Sequence, residues 1–350
     1  MKKIISMISM IVIFLLAMFF CFYRVDYYVM KPGSAYDVNQ FVKVQDGDFD
    51  DKGTFNLMTV SMFQATPLAL TLAYFNDYQD ILELDSVRHE EESEEEYNVR
   101  QLKLMTDSQF NALHVAFQKA DLPFTITYNG ITVLNVLSGG AADGKIQPGD
   151  EIVEIDGQII HKSEDLTAKL SAKKENEEVQ LVLNRNDQLI DVTLTLKEIP
   201  GSEPKKIGIG ITYSQSKTIK TEPNVNVDAE EIGGPSAGLM FTLEILNQLL
   251  DEDLTKGYAV AGTGEMNEDG TVGRIGGIDK KVVAAHEDGM EIFFAPDDEI
   301  TEAMLSVNPD IKSNYEVAVQ TAEKIGTSMK IVPVKTIDDA LNYLEQLPEK

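Results

Sequence analysis

The chain has 350 residues, enough for two or three domains, and its 43% hydrophobic and 25% charged residues exclude a wholly disordered or fibrous protein. Thirty Lys and Arg against 58 Asp and Glu give a formal net charge of −28 at pH 7, which repels the phosphates of nucleic acids. One Cys excludes an intramolecular disulfide, and four His supply little material for a Cys/His metal site. We therefore expect no nucleic-acid partner, no metal and no cofactor.

The N-terminal segment differs from this average because it is almost wholly apolar. Lys2 and Lys3 precede an apolar run over residues 4–23, which Arg24 closes. Twenty helical residues rise roughly 30 Å, the thickness of a bilayer core. The alternatives are a buried core helix and a cleaved signal peptide, but the latter needs a shorter run followed by small residues. Residues 1–24 therefore predict a single-pass anchor of the cell membrane, with the lysines inside and the rest of the chain outside.

Residues 25–124 predict a mixed α/β region. Short apolar and β-branched runs at 42–44 and 54–60 are typical of strands. The spacing of apolar residues in 108–120 is typical of one face of a helix. The acidic run over residues 90–96 we expect to form a solvated loop.

Residues 125–200 have a different pattern of strands, turns and one helix. A turn at 145–150 precedes a strand-like segment at 152–157 and a helix at 163–170 with acidic residues in its first turn. This pattern resembles PDZ domains, in which a peptide adds as a strand to a sheet edge. The resemblance implies four peptide-binding residues: Asn129, Gly130, Ile131 and Thr132. Alternatively, the domain only spaces and orients its neighbours.

A serine stands at the start of a helical run in the last third of the chain. Ser236 follows Gly233, Gly234 and Pro235 and precedes an apolar run at 239–250. Glycines let a substrate backbone approach closely, and the free N–H groups of a helix start point to where an oxyanion forms. Ser236 is therefore a candidate nucleophile. Alternatively, it is only an N-cap, a position where Ser is common.

Two adjacent lysines open a second helix. Lys280 and Lys281 follow Gly277 and occupy the predicted first turn, where a positive charge is unfavourable. A lysine held there among apolar neighbours has a lowered pKa, and a general base must be neutral at working pH. Alternatively, both lysines are solvated and Asp279 compensates their charge. Spacing alone leaves open which lysine has which role.

These segments together resemble the proteolytic domain of the Lon family of Ser–Lys peptidases. The resemblance covers residues 205–345 and is carried by three motifs in the family's order: Gly234-Pro235-Ser236-Ala237-Gly238, Thr263-Gly264-Glu265, and Ile275-Gly276-Gly277-Ile278-Asp279-Lys280-Lys281 through Ala284-Ala285-His286. It implies that Ser236 is the nucleophile and Lys281 the base, with Thr263 and Gly234 as supporting residues. A Ser–His–Asp triad that uses His286 is the alternative.

The whole chain resembles the membrane-anchored Lon-like PDZ peptidases of Gram-positive bacteria, including the pheromone-processing SepM group. The resemblance implies an α+β multidomain fold with four parts: a transmembrane helix at 1–24, a mixed α/β region at 25–124, a PDZ-like β-rich domain at 125–200 and a Lon-type proteolytic α/β domain at 205–345. It implies an ATP-independent, outward-facing serine endopeptidase that cleaves peptides or proteins, and it allows a homo-oligomer. The alternatives are a non-catalytic PDZ scaffold with a vestigial Lon-like fold and a protein that cuts only itself.

Overall fold

The computed structural model describes residues 2–49, 52–89, 92–229 and 232–350. The chain forms two compact units. The split unit combines Met1–Glu91 with Ser236–Lys350, and the central unit is Glu92–Pro235. The prediction of one mixed region at 25–124 is therefore wrong, because the first part of this stretch folds with the last third of the chain.

Both units contain α-helices. Within the described residues the α-helices are α1 Lys2–Phe22, α2 Pro67–Tyr74, α3 Leu84–Val87, α4 Glu94–Lys119, α5 Ser163–Ser171, α6 Gly238–Leu249, α7 Ile278–Glu287, α8 Glu302–Val307, α9 Asn314–Ile325 and α10 Ile337–Glu345. One turn of 3₁₀ helix covers Val38–Gln40.

Both units contain β-strands. In the part of the chain that the structure describes they are β1 Tyr27–Asp37, β2 Val42–Val44, β3 Thr54–Gln64, β4 Asp80–Glu83, β5 Phe124–Val136, β6 Glu151–Ile155, β7 Gln158–Ile159, β8 Glu178–Arg185, β9 Gln188–Thr195, β10 Lys197–Glu198, β11 Ile207–Gly208, β12 Ile211–Thr221, β13 Val225–Val227, β14 Ala259–Gly262, β15 Glu265–Met266, β16 Val272–Gly273, β17 Ile292–Pro296 and β18 Lys330–Val334.

Helix α1 is apolar over its whole length. Its residues Lys3–Phe22 have a mean hydropathy of 2.8 and are long and apolar enough to cross a membrane. A signal sequence near an N-terminus can meet the same criterion of length and hydropathy. The structure thus confirms the predicted apolar helix, while its role as an anchor stays a prediction.

The split unit is built on a six-stranded mixed sheet in the order β18-β17-β14-β3-β1-β4. The first four of these strands are parallel, and β1 pairs antiparallel with both β3 and β4. Strands from the first 91 residues and strands from the last third therefore share one set of hydrogen bonds.

Helices cover both faces of this sheet. Phe293 packs in a buried cluster with Val282 of α7, and the next residue, Phe294, stacks edge-on against Tyr343 of α10 with ring centroids 5.9 Å apart. Successive residues of a strand point to opposite faces, so α7 and α10 lie on opposite faces. Helix α9 packs beside α7, and α6 packs beside α10.

The central unit is an antiparallel sheet with the strand order β12-β5-β6-β8-β9. Helix α5 buries Leu166 in a core that includes Ile131, Ile152 and Leu181. Helix α4 packs against β5 and β12. Strand β12 is at one edge of this sheet.

The acidic run at 90–96 differs from the predicted loop. Residues 90 and 91 lie outside the described residues. Ser93 is the N-cap of α4, and its side chain and that of Glu96 form a capping box. Because acidic side chains in a first turn are favoured by the helix dipole, most of the remaining run starts a helix, and the prediction of a loop is wrong there.

Candidate active site

Ser236 lies beside the end of strand β14. Its carbonyl oxygen accepts hydrogen bonds from the Gly264 backbone N–H at 2.9 Å and from Thr263 Oγ1 at 3.0 Å. Helix α6 has Ala237 as its N-cap, without a side-chain capping bond. The alternative that Ser236 is only an N-cap is therefore wrong, and its hydroxyl is available for another contact.

That contact comes from Lys281 in the first turn of α7. Its Nζ donates to Ser236 Oγ at 2.7 Å and to Thr263 Oγ1 at 2.9 Å. The structure therefore brings Ser236, Lys281 and Thr263 together. His286 is exposed in the last turn of the same helix, so a lysine rather than a histidine contacts the serine.

The start of α7 depends on a glycine. Gly277 has φ 66°, a left-handed conformation that residues with a Cβ rarely adopt. A Cβ there would lie 2.9 Å from both Met30 Sδ and Val60 Cγ1. The carbonyl of Gly277 accepts the Lys281 backbone N–H at 3.1 Å, and this bond fixes the turn that directs Lys281.

Burial changes the acid–base behaviour of Lys281. The residue is 2% exposed, and within the described residues its Nζ contacts hydroxyls rather than a carboxylate. Desolvation disfavours the charged form of an amine, and burial lowers the pKa of Lys281 to about 7. A large fraction of this lysine is therefore neutral near pH 7, as a general base requires.

Lys280 has the opposite surroundings. It is also 2% exposed, but its Nζ forms ion pairs with Asp80 of β4 and with Asp279, each at 2.6 Å. Its amino group therefore has two carboxylate partners, whereas that of Lys281 contacts hydroxyls. The geometry thus separates the two lysines, which spacing in the sequence left open.

Thr263 joins the other two residues. It follows β14, is fully buried, and its backbone N–H donates to the Phe294 carbonyl at 3.2 Å. Its hydroxyl accepts from Lys281 and donates to the Ser236 carbonyl. Two residues further on, the half-buried Glu265 has its pKa raised by desolvation.

Backbone donors are available at the serine. Among the described residues, the N–H groups of Ser236 and Ala237 have no hydrogen-bond partner. They lie immediately before α6, where the helix dipole favours negative charge. Gly234, the other predicted supporting residue, is in the central unit, where its N–H donates to the Gln101 carbonyl at 3.0 Å; its support of the site stays a prediction.

The predicted peptide-binding residues lie inside a sheet. Asn129, Gly130, Ile131 and Thr132 belong to β5. Ile131 pairs with Gln215 of β12 on one side and with Ile152 of β6 on the other. A peptide adds as a strand only to an unpaired edge. The prediction of strand addition at these four residues is therefore wrong, because β12 occupies the position where the peptide was expected.

An open groove lies beside β12 instead. It has a volume of about 500 Å³ and lies between α5 and residues 207–213. Its apolar lining is Leu166, Leu170, Ile199, Ile207, Ile209, Ile211 and Tyr213. The alternation of glycine and isoleucine in residues 207–211 is the signal that could have located this groove from the sequence.

Comparisons with known proteins find two families along the chain. Residues 218–344 match the family model of the Lon protease (S16) C-terminal proteolytic domain, and residues 111–196 match that of the PDZ domain. The chain is 27% identical to the Lon protease of Metamycoplasma arthritidis over 173 residues, 48% of this chain and 18% of that protein. It is 31% identical to the Lon protease of Campylobacter concisus over 108 residues, 31% of this chain and 11% of that protein. The chain thus spans less than a fifth of the length of these relatives.

The solved structures that match cover a small share of the chain. The PDZ domain of an SdrC-like protein from Listeria monocytogenes is 28% identical, with a TM-score of 0.24, over 25% of this chain and 92% of that chain. The HtrA-type protease AlgW with a decapeptide is 30% identical, with a TM-score of 0.18, over 19% of this chain and 21% of that chain.

Proposed function

We propose that this chain, which carries a PDZ domain and a Lon-type proteolytic domain, is a membrane-anchored serine endopeptidase that uses a dyad of Ser236 and Lys281. The observation that carries the proposal is the 2.7 Å hydrogen bond between Lys281 Nζ and Ser236 Oγ at a lysine whose burial lowers its pKa to about 7. A nucleophile within reach of a base of suitable pKa is the arrangement that acyl transfer needs.

The reaction begins with proton transfer inside the dyad. Neutral Lys281 takes the proton of the Ser236 hydroxyl while Oγ attacks the carbonyl carbon of the peptide bond. The N–H groups of Ser236 and Ala237 stabilise the oxyanion that forms, with support from the α6 dipole. The Lys281 ammonium then protonates the leaving amine, which leaves an acyl-enzyme on Ser236. A water molecule, deprotonated by Lys281, attacks this ester and releases the second product.

Thr263 acts as a positioning residue in this mechanism. Its hydroxyl accepts a hydrogen bond from Lys281 and donates one to the Ser236 carbonyl, so one side chain limits the movement of both partners. Correct placement of a nucleophile and its base accounts for a large part of enzymatic rate enhancement.

The groove beside α5 presents substrates. Strand β12 is an edge strand, so its outer side can pair with an extended peptide while the apolar lining takes alternate side chains. Replacement of Leu170 in the groove by Arg should raise KM for protein substrates and leave the cleavage of short peptides unchanged. The same change at Leu189, which is 73% exposed on β9, is the matched control.

The site faces outward and works without ATP. Lys2 and Lys3 are the first two residues of α1, and positively charged residues stay on the cytoplasmic side of a first membrane helix. The outer side of the membrane lacks ATP, so an enzyme in this position must cleave without it. Intact cells that make the protein should cleave an added, membrane-impermeant peptide; cleavage only after lysis would overturn this orientation.

The activity is tested with the full chain reconstituted in phosphatidylcholine vesicles and incubated with an unstructured peptide library in the absence of nucleotide. Mass spectrometry should show cleavage by the wild type and by Ser306→Ala, an exposed serine of α8, and none by Ser236→Ala. Equal cleavage by both serine variants would contradict the proposal, as would cleavage that starts only when ATP is added.

The same assay at varied pH tests the neutral lysine. Because only neutral Lys281 acts as a base, kcat/KM should rise with pH, with a midpoint near 7, and fall about tenfold per pH unit below it. A flat profile between pH 5 and 9 would exclude this mechanism while leaving Ser236 as a nucleophile.

A further inference from the structure

Helix α2 carries an apolar surface that the fold does not cover. Its sequence PLALTLAY has no charged residue, and Thr66 caps its start. One side packs into the split unit, where Ala69, Leu70 and Ala73 contact Val25, Val29 and Ala65. Four large side chains remain exposed, and we call them the α2 patch: Leu68 (39%), Leu72 (61%), Tyr74 (78%) and Phe75 (81%).

The α2 patch is continuous with α1. The Val25 N–H donates to the Ala65 carbonyl at 2.9 Å, and the Ala65 N–H donates to the Tyr27 carbonyl at 2.7 Å. The Gln64 side chain donates to the Val25 carbonyl at 3.1 Å. These bonds join the exit of α1 to the start of α2, and the two helices contact each other. The apolar surface of α1 therefore extends onto α2.

We propose that the α2 patch lies in the interface of the bilayer that α1 crosses, so that the split unit is attached to the membrane at two places. This inference rests on the proposed membrane placement of α1. A helix that is apolar on every side is either buried in protein or in contact with lipid, and the outer side of α2 is exposed. Tyrosine and other aromatic side chains favour the level of the lipid headgroups, where Tyr74 and Phe75 lie.

The lipid that fits this surface is uncharged. Helix α2 has no Lys or Arg, and Asp77 and Asp80 follow it. Anionic lipids attract basic segments, so the α2 patch binds through apolar burial rather than through charge. The patch reaches roughly 5–10 Å below the phosphates, as interfacial helices do. Two attachment points restrict rotation of the split unit about α1 and hold Ser236 at a constant height above the membrane.

The single cysteine of the chain makes this position measurable. In a Cys21→Ser background, Leu72→Cys and Phe75→Cys place a label in the α2 patch. Val307→Cys is the matched control, because Val307 is an apolar residue of α8 that is 88% exposed in the same unit. Helix α8 follows β17 in the chain, and in the sheet two strands, β14 and β3, lie between β17 and β1. Each variant carries an environment-sensitive fluorophore, and the full chain is reconstituted in phosphatidylcholine vesicles that contain doxyl-labelled lipid.

The expected result is a blue-shifted emission at positions 72 and 75 that the doxyl lipids quench, with depths of roughly 5–10 Å, and a solvent-like, unquenched emission at 307. Emission at 72 and 75 equal to that at 307 would overturn the inference. A blue shift that depends on the protein-to-lipid ratio and that doxyl lipids do not quench would also overturn it, and would show that a second copy of the chain covers the patch.

Failure of this inference is distinguishable from failure of the proposed function. A label on the native Cys21 reports the position of α1 independently: quenching there without quenching at 72 and 75 keeps the anchor and removes only the α2 contact. Cleavage of a soluble peptide by the Leu72→Cys and Phe75→Cys variants reports the dyad, which neither residue contacts. Solvent-like emission at all three positions would contradict the anchor and the α2 contact together.

Discussion

The two sides of the first turn of α7 give neighbouring lysines different electrostatic surroundings. Lys280 and Lys281 are both 2% exposed, and both stand where a helix start disfavours positive charge. On one side, Asp80 and Asp279 pair with Lys280. On the other side, among the described residues, Lys281 Nζ contacts the hydroxyl oxygens of Ser236 and Thr263 rather than a carboxylate. Burial is the same on both sides, so the partners distinguish the two lysines, and the proposed mechanism assigns the role of base to Lys281.

This difference has an energetic reason. An ammonium loses its hydration when it is buried, and carboxylates at hydrogen-bond distance offset that loss, whereas hydroxyls do so only in part. The decrease of the Lys281 pKa from 10.5 to about 7 corresponds to roughly 5 kcal/mol against its charged form. The unit thus holds one buried lysine in an unfavourable position, and in the proposed mechanism this lysine is the base.

The largest expected effect is on catalysis. Lys281→Met keeps the length of the side chain but removes the base, so kcat/KM for peptide cleavage should fall about 10²–10⁴-fold. Lys280→Met should retain activity within a fewfold when it is measured at a temperature at which the variant is folded. Steady-state kinetics of both variants check this prediction. Equal losses of kcat/KM in the two variants would show that the two lysines act as one group, and would contradict the distinction between Lys280 and Lys281.

The second effect is a pH dependence of stability that belongs to Lys281 alone. The folded state holds Lys281 with a pKa of about 7, and the unfolded state restores the usual value, so between these values the unfolded state binds more protons. The free energy of unfolding should therefore rise with pH from about 7 to 10, by up to about 1.4 kcal/mol per unit, relative to Lys281→Met. Below pH 7 the difference should be constant.

Hydrogen exchange of the α7 amides measures this difference, because wild type and variant are compared at each pH and the intrinsic exchange rate cancels. Lys280→Met serves as the control, since loss of the neighbouring lysine should leave the rise with pH in place. Parallel curves for wild type and Lys281→Met between pH 7 and 10 would show that this lysine keeps its proton in the folded enzyme.

The third effect concerns the carboxylates on the other side of the turn. Asp80→Asn with Asp279→Asn leaves a buried ammonium at Lys280 without a charged partner, which should cost about 3–5 kcal/mol of unfolding free energy. Lys280→Met should cost less, because the carboxylates of Asp80 and Asp279 are 46% and 36% exposed and water can hydrate them. Denaturant unfolding compares the variants. A larger loss in Lys280→Met than in the double asparagine variant would contradict this assignment.

The sequence alone predicts the members of the proposed dyad because their motifs are local. A serine before a helix, a threonine after a strand and two lysines in a first turn are each visible in a few residues, and the Lon resemblance implies their roles. The choice between Lys280 and Lys281 needed Asp80, which is 200 positions earlier in the chain. No local pattern contains that contact, and only the antiparallel pairing of β4 with β1 brings the carboxylate to α7.

Strand order explains the other differences. The alternation of apolar residues indicates that a segment is a strand, but not which strand lies next to it. For that reason the sequence pattern does not place β1 and β3 in the sheet of β14, and it predicts an edge at β5 although β12 covers it. The start of α4 was a different kind of error, since Ser93 and Glu96 have the spacing of a capping box and were visible in the sequence.

The smallest effect comes from the hydroxyl that the reactive pair shares. Thr263→Val is nearly isosteric and removes the bonds to Lys281 Nζ and to the Ser236 carbonyl. The loss should lower kcat about tenfold, the equivalent of one hydrogen bond of about 1.4 kcal/mol, with little change in KM. Since the Thr263 hydroxyl accepts a hydrogen bond from the Lys281 ammonium and favours the charged form, its removal should also move the midpoint of the pH profile below that of the wild type.

Thr263→Ser keeps the hydroxyl and should restore both kcat and the midpoint of the pH profile. A lower kcat without any movement of the midpoint would assign Thr263 to packing alone, and the contrast between the two lysines would then rest on the Ser236 contact and on the carboxylates that pair with Lys280.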